Sequence, residues 1–136
     1  MRNFLKKDYV LWSKNYLIKI SDDLLDDAQA ILFAKASADK KDLTTEQIVN
    51  SVIDAYEDIS SIAFFDNLRY AQLTYNSSYK SHQKVREIRF FISNIKKLET
   101  IAKKLAIDLA DIEKLSDLIG WLIVSFIIQN RGILVV

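Results

Sequence analysis

The chain has no cysteine, no proline and only two glycines, Gly120 and Gly132. Without thiols there is no disulfide framework, no thiolate nucleophile and no thiolate metal site, a usage that fits the cytoplasm. Without proline, and with glycine this scarce, the chain lacks the punctuation that the many tight turns of a β-protein require. The expectation is therefore an all-α protein. Histidine is nearly absent too. His82 stands alone, so the Glu-x-x-His pairs of helical di-metal sites do not occur. No Arg lies shortly before it, as in helical ribonucleases built on an Arg–His pair, and there is no glycine-rich phosphate loop. No catalytic residue, cofactor or metal ligand is expected, and His82 reads as a surface or helix-start residue. The Asp pairs at 22–23 and 26–27 fit dipole-complementing charge at a helix start better than a cation site.

Long apolar runs are also missing. The longest, LIGWLIVSFIIQN at 118–130, is 13 residues, short of the roughly 20 that span a bilayer. The first twenty residues intersperse charge among apolar positions, unlike the core of a secretory signal. A soluble, cytoplasmic protein with no membrane contact is expected. At 136 residues, positions 1–136 form a single domain able to bury its own core.

What is present is helical periodicity. The first segment covers about 5–36, with an interruption at Ser21, where SDDLLDD supplies an N-cap and acidic residues for the first turn. The second opens on a capping box, Thr44 with Gln47, and carries Ile48, Val52, Tyr56, Ile59 and Ala63 as its stripe. It fades within NLRYAQLTYNSS. The third runs from about Tyr79 to Leu105, with Val85, Ile88, Ile92, Ile95, Leu98, Ala102 and Leu105 on one side. The fourth starts near Asp108 and turns Ile112, Leu115, Leu118, Ile119, Leu122 and Phe126 inward. The expected fold is an antiparallel up-down four-helix bundle with an N-terminal helical extension.

Charge is sorted along the chain. Between Leu43 and Phe65 the charged residues are Glu46, Asp54, Glu57 and Asp58, all acidic. Between Arg69 and Lys104 positive residues dominate, although the net charge of the whole chain is only +1. On a helical projection of the third segment, Arg86, Arg89, Lys96, Lys97 and Lys104 oppose the apolar side, with Lys103 at the border. As one helix, these residues would form a basic stripe about 27 Å long, suited to the backbone phosphates of RNA or DNA. The plainer alternative is a solvated face that the acidic segment neutralises.

The fourth segment is apolar all round. Trp121, Val124 and Ile128 point away from its inward stripe, and Gly120 offers close approach to another backbone. Either the N-terminal segment with Phe4, Tyr9 and Trp12 covers that side, or a second subunit does. A homo-oligomer built on Gly120, Trp121, Val124 and Ile128 is the expectation.

Residues 79–92, YKSHQKVREIRFFI, and 110–124, ADIEKLSDLIGWLIV, resemble the last two helices of the accessory variability determinant proteins of diversity-generating retroelements. That family is itself similar to the four-helix-bundle proteins encoded in ribosomal RNA intervening sequences. Tyr79, Val85, Ile88, Arg89 and Phe90 match the third-helix pattern, and Gly120, Trp121 and Leu122 the Gly-Trp-apolar element of the fourth. Leu115 and Ser116 stand where the family often has Gly-Arg, and His82 where it has an acidic residue. The resemblance implies a non-catalytic pentamer that binds nucleic acid and associates with a reverse transcriptase during mutagenic copying of a template RNA. The alternative is a structural or partner-binding bundle without nucleic-acid contact.

Overall fold

Residues 12–21, WSKNYLIKIS, and 83–91, QKVREIRFF, are rich in aromatic and β-branched side chains, which favour a pleated surface. In the computed structural model, which describes residues 12–36 and 43–131, both are strands. Strand β1 (Trp12–Ser21) pairs antiparallel with β2 (Gln83–Phe91), Tyr16 opposite Ile88 and Ser21 opposite Gln83, with a bulge between Trp12 and Asn15. Tyr16, Ile18 and Ile20 on β1, and Ile88 and Phe90 on β2, turn their alternate side chains toward the core.

The all-α expectation, and with it the four-helix bundle and its helical extension, is thereby corrected. Five α-helices accompany the two-stranded sheet among the described residues: α1 (Asp22–Ala36), α2 (Thr45–Asp54), α3 (Ile62–Thr74), α4 (Ile92–Leu105) and α5 (Ile112–Asn130). The third expected helix is in fact strand β2 running without a loop into α4. Val85, Ile88, Ile92 and Ile95 satisfy a helical period, while Ile88 and Phe90 satisfy a period of two. A short apolar run does not separate the two readings. The decision falls to β1, far away in sequence, whose backbone pairs with this stretch.

Local signals otherwise act where they stand. Ser21 Oγ accepts from Leu24 N at 3.2 Å, starting α1 directly after β1. Thr44 and Gln47 close the capping box of α2 reciprocally, at 3.1 and 2.9 Å. The expected second helix divides in two. Asp58 Oδ1 accepts from the backbone N–H of Ser60 and Ser61 and stops the chain between α2 and α3, and Ser61 then caps α3. A π-helical turn, Tyr75–Tyr79, continues α3.

Both strands of so small a sheet are edges, and helices cover part of each. Ser116 Oγ of α5 accepts from Lys19 N of β1 at 2.7 Å. On β2, Glu46 Oε1 accepts from Arg89 N, and Asn50 Oδ1 from Phe91 N, while Asn50 Nδ2 donates to Arg89 O. Glu46 and Asn50 lie one turn apart on α2, so one helix face stands in for a third strand.

Helix α5 runs through the middle. It packs against α1, α2, α3 and β1, and it is buried at Leu115, Ser116, Leu118–Gly120 and Leu122–Ile127. A helix apolar on every side is one buried on every side. Here the covering elements belong to the same chain. No described helix is long and apolar enough to cross a membrane.

Candidate nucleic-acid interface

The six basic residues expected to form one stripe are divided by the strand-to-helix junction at Phe91–Ile92. Arg86 and Arg89 stand on β2, three positions apart and so on opposite faces of the sheet. Arg86 is half-buried. Its guanidinium forms an ion pair with Asp22 and donates to Thr45 Oγ1 at 3.2 Å, while its Nε is buried without a partner. Asp22 also pairs with Lys84 at 2.8 Å. The hydrogen bond from Lys84, followed by the charges of Lys84 and Arg86, holds the Asp22 carboxyl below its ordinary pKa. Arg89 is exposed and donates from Nε to Asn15 Oδ1 at 3.2 Å.

The other four lie on α4. Lys97 is engaged inside the fold, its ammonium donating to the carbonyls of Ile53 at 3.2 Å, Asp54 at 3.3 Å and Tyr56 at 2.6 Å. Ile53 O and Asp54 O belong to the last turn of α2, where a cation complements the helix dipole, and Tyr56 O lies just beyond it. Lys96, Lys103 and Lys104 are exposed, and among the described residues none of them is in an ion pair. Lys96 and Lys103 are two turns apart on one side of the helix, about 10 Å along its axis. The structure therefore brings together three of the six, over less than half of the expected length.

The residues expected at an oligomer interface are placed differently. Gly120 is buried, and a Cβ built on it would meet the Tyr75 ring at 2.3 Å. Its missing side chain admits the phenol of the π-helical turn, not a second subunit. Val124 is 0% exposed. Trp121 and Ile128 are half-buried and pack on the core. Of the N-terminal residues expected to cover them, Trp12 pairs edge-to-face with Phe91 at 4.7 Å, whereas Phe4 and Tyr9 lie outside the described residues.

Two open clefts accompany these surfaces. One, of about 280 Å³, is bordered by Asp22, Asp26, Gln29, Thr45 and Arg86. The other, of about 350 Å³, lies beside Tyr56, Asp58, Ser61, Phe64 and Asn67. In the first, the arginine is already bound by a carboxylate. In the second, Asp58 is occupied with backbone N–H groups, and burial pushes the Tyr56 phenol up to about 12, its hydroxyl donating to Leu122 O at 2.6 Å. No group of three or more His, Cys, Asp or Glu that could hold a metal occurs among the described residues.

The sequence pattern did not reveal one surface. On α3, Ile62, Tyr70 and Leu73 are exposed. The signal lay in IAFFDNLRYAQLT, where apolar residues occur on both sides of the helix. No protein-family model, curated protein or solved structure matches the chain.

Proposed function

We propose that the protein is a non-catalytic binding protein that contacts nucleic-acid backbone through the lysine face of α4. The observation that supports this reading is the set Lys96, Lys103 and Lys104, exposed on one helix and free of ion pairs among the described residues. Ammonium groups at such spacing fit consecutive phosphates and read no base edge, so the contact is independent of sequence. Association with a reverse transcriptase and assembly as a pentamer are implied by the family resemblance alone, and the lysine face of α4 supports only the nucleic-acid contact. The second reading is a partner-binding protein without nucleic-acid contact, favoured by the exposed apolar side chains of α3.

Fluorescence anisotropy with single-stranded RNA tests the first reading. Three phosphate contacts give a log–log salt slope of roughly −2, so affinity falls about tenfold to twentyfold between about 50 and 200 mM salt. Lys96→Glu with Lys103→Glu removes binding. Lys97→Gln leaves RNA affinity unchanged and lowers stability by about 1 kcal/mol, because its ammonium closes α2. Salt-independent binding, or wild-type affinity in the double variant, rejects the lysine face.

A further inference from the structure

Helix α3 presents to solvent what a surface helix ordinarily hides. At about 100° per residue, Phe64, Leu68, Ala71 and Tyr75 form its narrow core-facing arc. Diametrically opposite lie Ile62, 82% exposed, and Leu73, 69% exposed, with Tyr70, 61% exposed, at their flank. Between them stand Asp66 and Arg69, joined by an ion pair at 3.0 Å that is itself largely exposed. Ile62 and Leu73 stand about 16 Å apart along the axis, so the distinguishing feature of this face is the arrangement of apolar ends around a charged centre.

The order of these residues specifies the occupant. Ile62 and Leu73 are equidistant from a point between Asn67 and Leu68, and so are Asp66 and Arg69. Run against an identical helix in the opposite direction, the face is its own complement. We propose that α3 is a two-fold self-association surface, on which two copies of the chain pair their α3 helices antiparallel. Ile62 of each copy meets Leu73 of the other, and Asp66 of each meets Arg69 of the other. A two-fold contact requires such self-complementarity, because each residue pair occurs twice. The apolar pairs provide the attraction and the charges set the register, since like charges placed opposite one another are strongly disfavoured.

Two helices of 13 residues each make a small contact, below the roughly 1,200 Å² at which stable complexes begin. The dimer is therefore weak and concentration-dependent. It is independent of the α4 lysine face, and either stands without the other.

Sedimentation equilibrium from low micromolar to near-millimolar concentration tests it. The wild type moves from 15.7 kDa toward twice that mass as concentration rises. Asp66→Arg places only positive charge at the two-fold point and weakens dimerisation at least about tenfold. Arg69→Asp places only negative charge there and does the same. Mixed in equal amounts, the two variants restore the dimer as a heterodimer, because each positive pair now faces a negative one. All of these side chains are exposed, so the fold is retained, and far-ultraviolet circular dichroism verifies it. A wild type that remains 15.7 kDa throughout overturns the proposal, as does a dimer that Asp66→Arg leaves intact or a mixture of the variants that stays monomeric.

Discussion

At Gly120 the absence of one methyl group matters because of where the Tyr75 ring sits. A Cβ there would fall 2.3 to 2.8 Å from three ring atoms, well inside van der Waals contact. The ring has no free side to move toward. Tyr75 is 1% exposed, its hydroxyl accepts from Gln83 Nε2 at 2.6 Å, and burial raises its phenol to about 12. In an ordinary helix interior, replacing Gly by Ala gains up to about 1 kcal/mol. Here the overlap outweighs that gain, and Gly120→Ala destabilises by about 1–3 kcal/mol. The coupling to Tyr75 identifies the cause. In a Tyr75→Leu background the same Gly120→Ala change becomes neutral or stabilising, as a double-mutant cycle in urea shows. Equal costs in both backgrounds would place the strain elsewhere than at the ring.

Among the elements, helix α2 does more than its ten residues suggest. Asn50 is 2% exposed, and its amide serves four groups. Oδ1 accepts from Phe91 N and Asn94 Nδ2, and Nδ2 donates to Arg89 O and Glu46 O. Truncation at Asn50 removes its hydrogen bonds to Phe91 N and Arg89 O on β2 together with those to Asn94 and Glu46, each worth about 0.5–1.5 kcal/mol. Asn50→Ala therefore destabilises by roughly 2–4 kcal/mol. Amide hydrogen exchange adds the location, because the Phe91 amide loses protection more than amides within α5. Uniform loss of protection across the molecule would instead mean that Asn50 only supports the global fold.

On the scale of the whole molecule, the over-apolar fourth segment has an intramolecular explanation, and part of the basic segment is engaged within the fold. Lys97 reaches across from α4 to the end of α2, and Arg86 and Lys84 reach from β2 to Asp22 at the start of α1. Their partners are the carboxylate of Asp22 and the carbonyls at the end of α2, and none of Glu46, Asp54, Glu57 and Asp58 is in an ion pair among the described residues. The indole of Trp121 packs on its own chain's core, so Trp121→Ala lowers stability by about 2–3 kcal/mol, less than the roughly 3–5 kcal/mol of a fully buried ring because this one is only partly covered. The same change leaves the sedimentation mass at every concentration equal to that of the wild type. A lower mass for the variant at high concentration would return Trp121 to an intermolecular role and weaken the case for α3.

The sequence by itself determined the short-range events. Ser21 starts α1, Thr44 and Gln47 open α2, and the apolar residues from Ile112 to Phe126 bury one side of α5. Each depends on neighbours within about one helical turn, where side-chain type and spacing act directly. Of the basic site, Lys96, Lys103 and Lys104 were legible as exposed charge for the same reason. Tertiary structure alone decided that residues 83–91 are a strand, since their apolar spacing suits either period and the balance rests on backbone pairing with distant residues 12–21. It also decided that Lys97 is a cap and Arg86 a half-buried ion-pair partner, because the carbonyls and the carboxylate they satisfy arrive from other elements. A sequence displays a residue's neighbours along the chain. The other apolar sides of α5 were covered by elements whose positions follow only when all of them pack at once.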